Sequence, residues 1–218
     1  MIITVARKCG CYGDTLGQEL AKRYGIPFYD KERISELAKE KDIYDKYPDY
    51  YGEIPVNTLL YTISVTEEDD VLYDKPKKAL ESLIDGQDCV VLGRCGNYAF
   101  KDRKDKISIF LTGDDDKRIA HIAGKHGYSE RKAANIVKET DDRRSSYHEY
   151  YSGETWGLSD NYDLCVNVSK LGFDKTLKLI EDYIDVVSAY YKTGLHKIQE
   201  IEDSYQKKDW KNYTILVH

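Results

Sequence analysis

Three groups of residues in this chain have the types and spacing that handle phosphate. The first is Arg7-Lys8-Cys9-Gly10-Cys11-Tyr12-Gly13-Asp14-Thr15. It follows the apolar, β-branched run Ile2 to Ala6 and precedes a helical pattern, so Gly10 and Gly13 fall in a turn between a strand and a helix. Such a turn lets backbone N–H groups converge on phosphate oxygens, and the helix start adds partial positive charge. The full pattern for that chemistry is Gly, four residues, Gly-Lys, then Ser or Thr. Here Gly13 or Asp14 falls in the lysine place, and Asp14 or Thr15 in the place of the magnesium-binding hydroxyl. Asp14 suits a helix start and opposes a triphosphate. Arg7 and Lys8, on the strand side of the turn, are the candidates for the missing cation.

The second group is Gly93-Arg94, at the end of the continuous apolar run Cys89-Val90-Val91-Leu92. An arginine leaving a buried strand there is expected to point into a ligand crevice, where its planar fork grips phosphate. The third is Lys138-Glu139-Thr140-Asp141-Asp142-Arg143-Arg144, a helical run whose arginines would neutralise charge in phosphoryl transfer if the helix closes over the site. Each group has a plainer reading too: a tight turn without ligand, a surface ion pair, and a solvated charged face.

The elements that must position these residues are read from periodicity. Apolar runs at Ile2–Ala6, Cys89–Gly93, Ile107–Leu111 and Tyr162–Asn167, with a brief Pro27–Asp30, predict five strands. Helical spacing is predicted from Asp14 to near Gly25, through Ile34, Leu37 and Ala38, over 71–84, 115–126, from Ser129 onward, and over 175–191. Alternating strands and helices give an α/β fold, a doubly wound parallel five-stranded sheet with helices on both faces. In such sheets ligands lie beyond the carboxyl ends of the strands, and the first two groups fall there. The stretch 42–70, with Pro48, Gly52 and Pro55, reads as an irregular insertion with a short helix around 59–65. The polar tail 193–218 reads as a helical extension that leaves self-association open.

Composition narrows the function. The chain has 218 residues and a formal net charge of −6, which argues against coating DNA or RNA and leaves room for a small phosphorylated ligand. No apolar run is long enough for a membrane span and no signal peptide is evident, so a cytoplasmic location is expected. The five cysteines form neither a disulfide framework nor a zinc pattern, so no metal site is expected from them. Tyr47-Pro48-Asp49-Tyr50-Tyr51 and Tyr147-His148-Glu149-Tyr150-Tyr151 are aromatic clusters that either stack on a base or pack half-buried.

The order of the segments carries a resemblance. Ile3-Thr4-Val5-Ala6-Arg7, the glycine loop, Leu16-Gly17 and Gly25-Ile26-Pro27-Phe28-Tyr29-Asp30-Lys31 resemble the opening of the cytidylate-kinase-like family, a divergent branch of the P-loop nucleoside monophosphate kinases. Val91-Leu92-Gly93-Arg94-Cys95-Gly96-Asn97-Tyr98 resembles its second block. Thr140 to Tyr147, Tyr151-Ser152-Gly153, Trp156-Gly157 and Asn161 to Asn167 resemble its third. The resemblance implies a P-loop NTPase-type sheet over residues 1–192, with a substrate-side insertion at about 42–70 and a helical lid at about 128–160. It implies transfer of the ATP γ-phosphoryl, with Mg²⁺, to a nucleoside monophosphate, cytidylate being the nominal acceptor. By the resemblance Gly10 and Gly13 cradle donor phosphates, Arg94 holds the acceptor phosphate, Arg143 and Arg144 are lid arginines, and Arg118 is a further cation of the donor side. Cys95 stands where true cytidylate kinases carry aspartate, and Cys11 and Tyr12 replace a small residue and a glycine. These departures support the alternative, a non-catalytic nucleotide- or phosphate-binding regulatory protein with a degenerate P-loop.

Overall fold

The computed structural model describes residues 1–52, 69–84 and 86–193. Strands β1 (Ile2–Arg7), β2 (Phe28–Tyr29), β3 (Cys89–Leu92), β4 (Lys106–Thr112) and β5 (Leu164–Asn167) form one sheet. Its order is β2-β3-β1-β4-β5, and every pair is parallel. The strands are continuous apolar runs because both faces are covered, as parallel sheets require. β1 is central, with Ile3 opposite Val90 on one side and Ile107 on the other.

Alternation along the strands divides the core. Ile3, Val5, Val90, Leu92, Ile107 and Ile109 face the helices α1 (Gly13–Tyr24) and α9 (Phe173–Thr193), which contribute Leu16, Leu20, Ile180 and Ile184. Ile2, Cys89 and Val91 face the other layer: α2 (Lys31–Glu40), α3 (Pro48–Gly52), α4 (Asp69–Ile84) and α5 (Gly96–Ala99). α6 (Asp115–His126) and α7 (Glu130–Ser152) follow β4, and α8 (Val168–Leu171) follows β5.

Helix ends obey local chemistry. α1 stops at Gly25, whose left-handed φ of 63° lets its N–H reach back to the last turn. α7 starts at Ser129, whose hydroxyl accepts from Lys132 N–H, and stops at Gly153 with φ 67°. Its 23 residues make a rod of about 35 Å. Along it Asp141, Arg144, Tyr147, His148 and Tyr151 recur at three- and four-residue steps, so one stripe meets the β1–α1 loop first and the core last.

Several expectations are corrected. β5 begins at Leu164 rather than Tyr162. The stretch expected to be irregular contains α3, which buries Tyr50 and Tyr51 completely. The two tyrosine clusters are core rather than base-stacking surfaces, with Tyr50, Tyr51, Tyr147 and Tyr151 packed on one another at centroid distances of 4.8 to 5.9 Å. The short helix expected near 59–65 and the C-terminal extension lie outside the described residues.

Candidate functional site

The β1–α1 loop is shaped by its two glycines. Gly10 has φ +83°, and a Cβ there would stand 2.7 Å from the Arg118 carbonyl oxygen. A Cβ on Gly13 would stand 2.5 Å from Cγ of Arg7. Both places need glycine, one for its backbone angle and both for the close approach. Tyr12 precedes α1 with φ 57°, and the helix start has no side-chain cap. The N–H groups of Gly13, Asp14 and Thr15 have no acceptor among the described residues, which leaves them available to an anion. Asp14 and Thr15 are exposed beside them, and Asp14 approaches Arg7 Nη2 at 3.4 Å.

The other side of the loop is clamped by α6 and α7. Arg118, 5 % exposed, donates from Nη1 to the Cys9 carbonyl at 3.0 Å and to Asp141 Oδ2 at 2.6 Å, and from Nη2 to Asp115 Oδ1 at 2.6 Å. The second Asp141 oxygen accepts from Cys9 N–H at 2.6 Å. The Arg118 guanidinium holds Asp115 below the usual carboxylate range. His121 Nδ1 lies 2.9 Å from the Gly10 carbonyl, and its ring stacks on Tyr12 at 3.9 Å. Beyond this stack a hollow opens, bordered by Tyr12, Lys117, His121, Ser169 and Phe173. Burial pushes the Cys11 thiol up to about 12, so it is no nucleophile at neutral pH.

A second hollow lies between the ends of β1 and β3 and the middle of α7. Thr4, Asn97 and His148 border its depth, Trp156 one wall, and Arg7, Arg143 and Arg144 its cationic rim. Arg144 Nη1 donates to the Arg7 carbonyl at 3.1 Å, which fixes α7 against the end of β1. Arg143 is exposed, and neither it nor Arg144 pairs with a carboxylate among the described residues. Gly93, Arg94 and Cys95 form a left-handed turn, with φ of 74°, 57° and 51°. Two non-glycine residues in that region cost about 1–2 kcal/mol each, so the surroundings must enforce the turn.

The turn aims Arg94 away from solvent. Its guanidinium, on a residue 3 % exposed, donates to the carbonyls of Tyr50 and Tyr51, the latter at 2.9 Å, and to the Tyr147 hydroxyl at 3.2 Å. Tyr50 returns a bond from its hydroxyl to the Arg94 carbonyl at 2.7 Å. Arg94 therefore borders the hollow while its guanidinium serves the carbonyls at the end of α3.

Of the residues singled out in the sequence, Arg7, Gly10, Gly13, Arg118 and Arg144 meet at the β1–α1 loop. Arg143 joins Arg7 and Arg144 at the rim of the second hollow, and Lys8 forms no ion pair among the described residues. His121 was not singled out, and Asp141, Asn97, His148, Trp156 and Thr4 stood inside the quoted segments without a site role of their own. Asp141 and His148 share a helical stripe with Arg144, and that spacing was the available signal. Thr4 in a buried strand carried none. No group of three metal-ligating side chains occurs among the described residues. Magnesium takes most of its ligands from phosphates and water, so exposed Thr15 and Asp14 at the start of α1 fit its needs.

A curated relative, cytidylate kinase 2 of Borreliella afzelii (strain PKo), is 23% identical over 188 residues, covering 85% of this chain and 97% of that protein. Its counterpart in Borrelia garinii subsp. bavariensis matches at the same identity and coverage. Among solved structures, an uncharacterized protein from Eubacterium ventriosum ATCC 27560 superposes with a TM-score of 0.64 at 30% identity, over 85% of this chain and 98% of that one. No described helix is long and apolar enough to cross a membrane. The model of the cytidylate kinase-like family matches residues 2–170, which hold the loop, the arginine helix and the hollow between β1, β3 and α7, and the chain belongs to that family.

Proposed function

We propose that this protein transfers the γ-phosphoryl of ATP to a nucleoside monophosphate, with a cytidylate-type acceptor. The observation that carries the reading is the meeting of two half-sites: the uncapped start of α1, and the rim of Arg7, Arg143 and Arg144 that borders the adjacent hollow. The family's nominal reaction needs a donor phosphate on the first and an acceptor phosphate at the second.

ATP with Mg²⁺ would supply the phosphoryl group and neutralise its developing charge. The chain's own contribution is positioning. N–H groups of Gly13, Asp14 and Thr15 receive donor oxygens, with Lys8 as the nearby cation. Arg144, held by the Arg7 carbonyl, and Arg143 beside it span the gap toward the acceptor. No covalent intermediate is needed, because preorganised charge lowers the barrier. Replacing an arginine that stabilises the transferring group is expected to slow turnover about 10³-fold. Steady-state kinetics of Arg144→Ala with ATP and CMP tests this. An unchanged kcat would remove α7 from the chemistry.

A second reading has its own observation. Arg118, a cation expected on the donor side, is taken up by Asp115, Asp141 and the Cys9 carbonyl. A protein that binds nucleotide without turning it over fits that loss. Nucleotide binding without acceptor-dependent ADP release would identify it.

A further inference from the structure

Two helices converge on one residue of the β1–α1 loop. Arg118 of α6 donates to the Cys9 carbonyl at 3.0 Å, and Asp141 of α7 accepts from Cys9 N–H at 2.6 Å. The two side chains also pair with each other, Nη1 to Oδ2 at 2.6 Å. His121 of α6 lies 2.9 Å from the next carbonyl, that of Gly10. A carbonyl only accepts, so Nδ1 of His121 is the donor. The N–H and carbonyl of Cys9 and the carbonyl of Gly10 are thus engaged by side chains from outside the loop. The N–H groups of Gly13, Asp14 and Thr15, at the other end of the loop, have no acceptor among the described residues.

Asp141 does at Cys9 what a phosphate oxygen does in a loop of this kind. It is an anion bonded at once to a backbone N–H and to a guanidinium, and both bonds have the short length of charge-assisted ones. Its side chain is only 15 % exposed, so little water competes for it. The packing of α7 isolates this contact. Ala133 and Val137 join Cys9 and Ile122 in a small cluster of their own, whereas Tyr147 and Tyr151 belong to the main core. Asp141 lies between the two, in a stretch where Lys138, Asp142 and Arg143 are exposed. The first half of α7 therefore leans on α6 and Cys9, and its polar tie to the loop is the clamp of Asp141 and Arg118.

We infer that Asp141 is a built-in competitor of the donor polyphosphate: it latches α7 onto the loop by taking Cys9 N–H and Arg118, and a polyphosphate has to displace it. This rests on the phosphotransfer reading and adds the regulation of that same site. Displacement returns Arg118 to the donor side, from which its bonds to Asp141 withhold it. Only the fraction of molecules with the latch open is competent to bind, and the apparent affinity is reduced by that fraction.

Calorimetric titration of sodium tripolyphosphate into wild type, Asp141→Asn and Asp142→Asn tests the latch without any turnover. Asp142→Asn removes the same charge from the next residue, which is exposed and paired with Lys138 at 2.7 Å. Asp141→Asn is expected to bind tripolyphosphate about tenfold more tightly than wild type, and Asp142→Asn to stay within about twofold of it. Equal gains in the two variants would reduce the effect to net charge and overturn the latch. So would an unchanged or weaker affinity of Asp141→Asn. Should Asp141→Asn fail to fold, hydrogen exchange of wild type decides. Saturating tripolyphosphate is expected to speed amide exchange over 130–141 and to leave 147–152 unchanged, and slowed or unchanged exchange over 130–141 would overturn the latch. Failure of the phosphotransfer reading shows separately: ATP and Mg²⁺ that give no nucleoside diphosphate, while tripolyphosphate still answers to Asp141, would leave the latch standing on a binding protein. Tripolyphosphate that binds none of the three proteins would overturn the latch and the donor seat together.

Discussion

Arg94 shows how one side chain changes meaning between sequence and structure. Its place after a buried strand suggested a ligand-facing cation. Its bonds instead tie the β3 turn to the end of α3 and to Tyr147. Arg94→Ala would leave those carbonyls without donors in the core, a loss of about 3 kcal/mol. Urea denaturation is expected to show a midpoint lowered accordingly. A normal midpoint with lost nucleotide binding would restore the ligand role. His148 carries a pH signature of its own. Burial pushes its imidazole from the ordinary 6.5 down to about 4. Below 6.5 the unfolded chain takes a proton that the folded chain refuses, so stability falls as pH drops from 6.5 toward 4 and the loss levels off below that. Between pH 6.5 and 5 the loss is about 2 kcal/mol. Glu154, facing the ring at 3.9 Å, is the group that would soften it. His148→Phe should flatten urea midpoints over that interval, and an unflattened profile would assign the slope to other groups.

At the scale of elements, the β1–α1 loop and α7 act as a pair. Asp141 places a carboxylate on Cys9 N–H and on Arg118, two groups that a donor phosphate would otherwise use. Asp141→Asn removes that charge, keeps the shape, and is expected to tighten binding of tripolyphosphate while lowering stability by about 1–3 kcal/mol. Weaker tripolyphosphate binding in the variant would show that Asp141 organises the loop for its ligand instead. The main strands were legible because parallel strands covered on both faces are unbroken apolar runs. The main helices announced themselves by spacing and by Gly25 and Gly127 at the ends of two of them, whereas the stop of α7 at Gly153 was not read. α3, α5 and α8 span only four or five residues, too few for a period to register. The loop of the candidate site was legible from Gly10 and Gly13. The depth of the second hollow was not, because Thr4, Asn97 and His148 come from three elements and look like an ordinary strand former, turn residue and helix residue until the fold brings them together.

Over the whole molecule, the sheet order β2-β3-β1-β4-β5 sets the ends of β1, β3 and β4 side by side. Loops leaving those ends carry Gly10 and Gly13, Gly93 and Arg94, and then α6 and α7 with Arg118, Arg143 and Arg144. The β1–α1 loop and the hollow between β1, β3 and α7 are thus neighbours by topology, and Arg7 and Arg144 stand at their shared border. That arrangement is the central claim: two adjacent phosphate seats joined by arginines, built to pass a phosphoryl group. The most direct measurement mixes purified protein with ATP, Mg²⁺ and each nucleoside monophosphate in turn, and separates the nucleotides after incubation. The account predicts CDP and ADP formed in equal amounts from CMP, faster than diphosphate from AMP or GMP, with no ADP when the acceptor is omitted. Bound ATP that yields no nucleoside diphosphate with any acceptor would contradict it and leave a binding protein on a kinase fold.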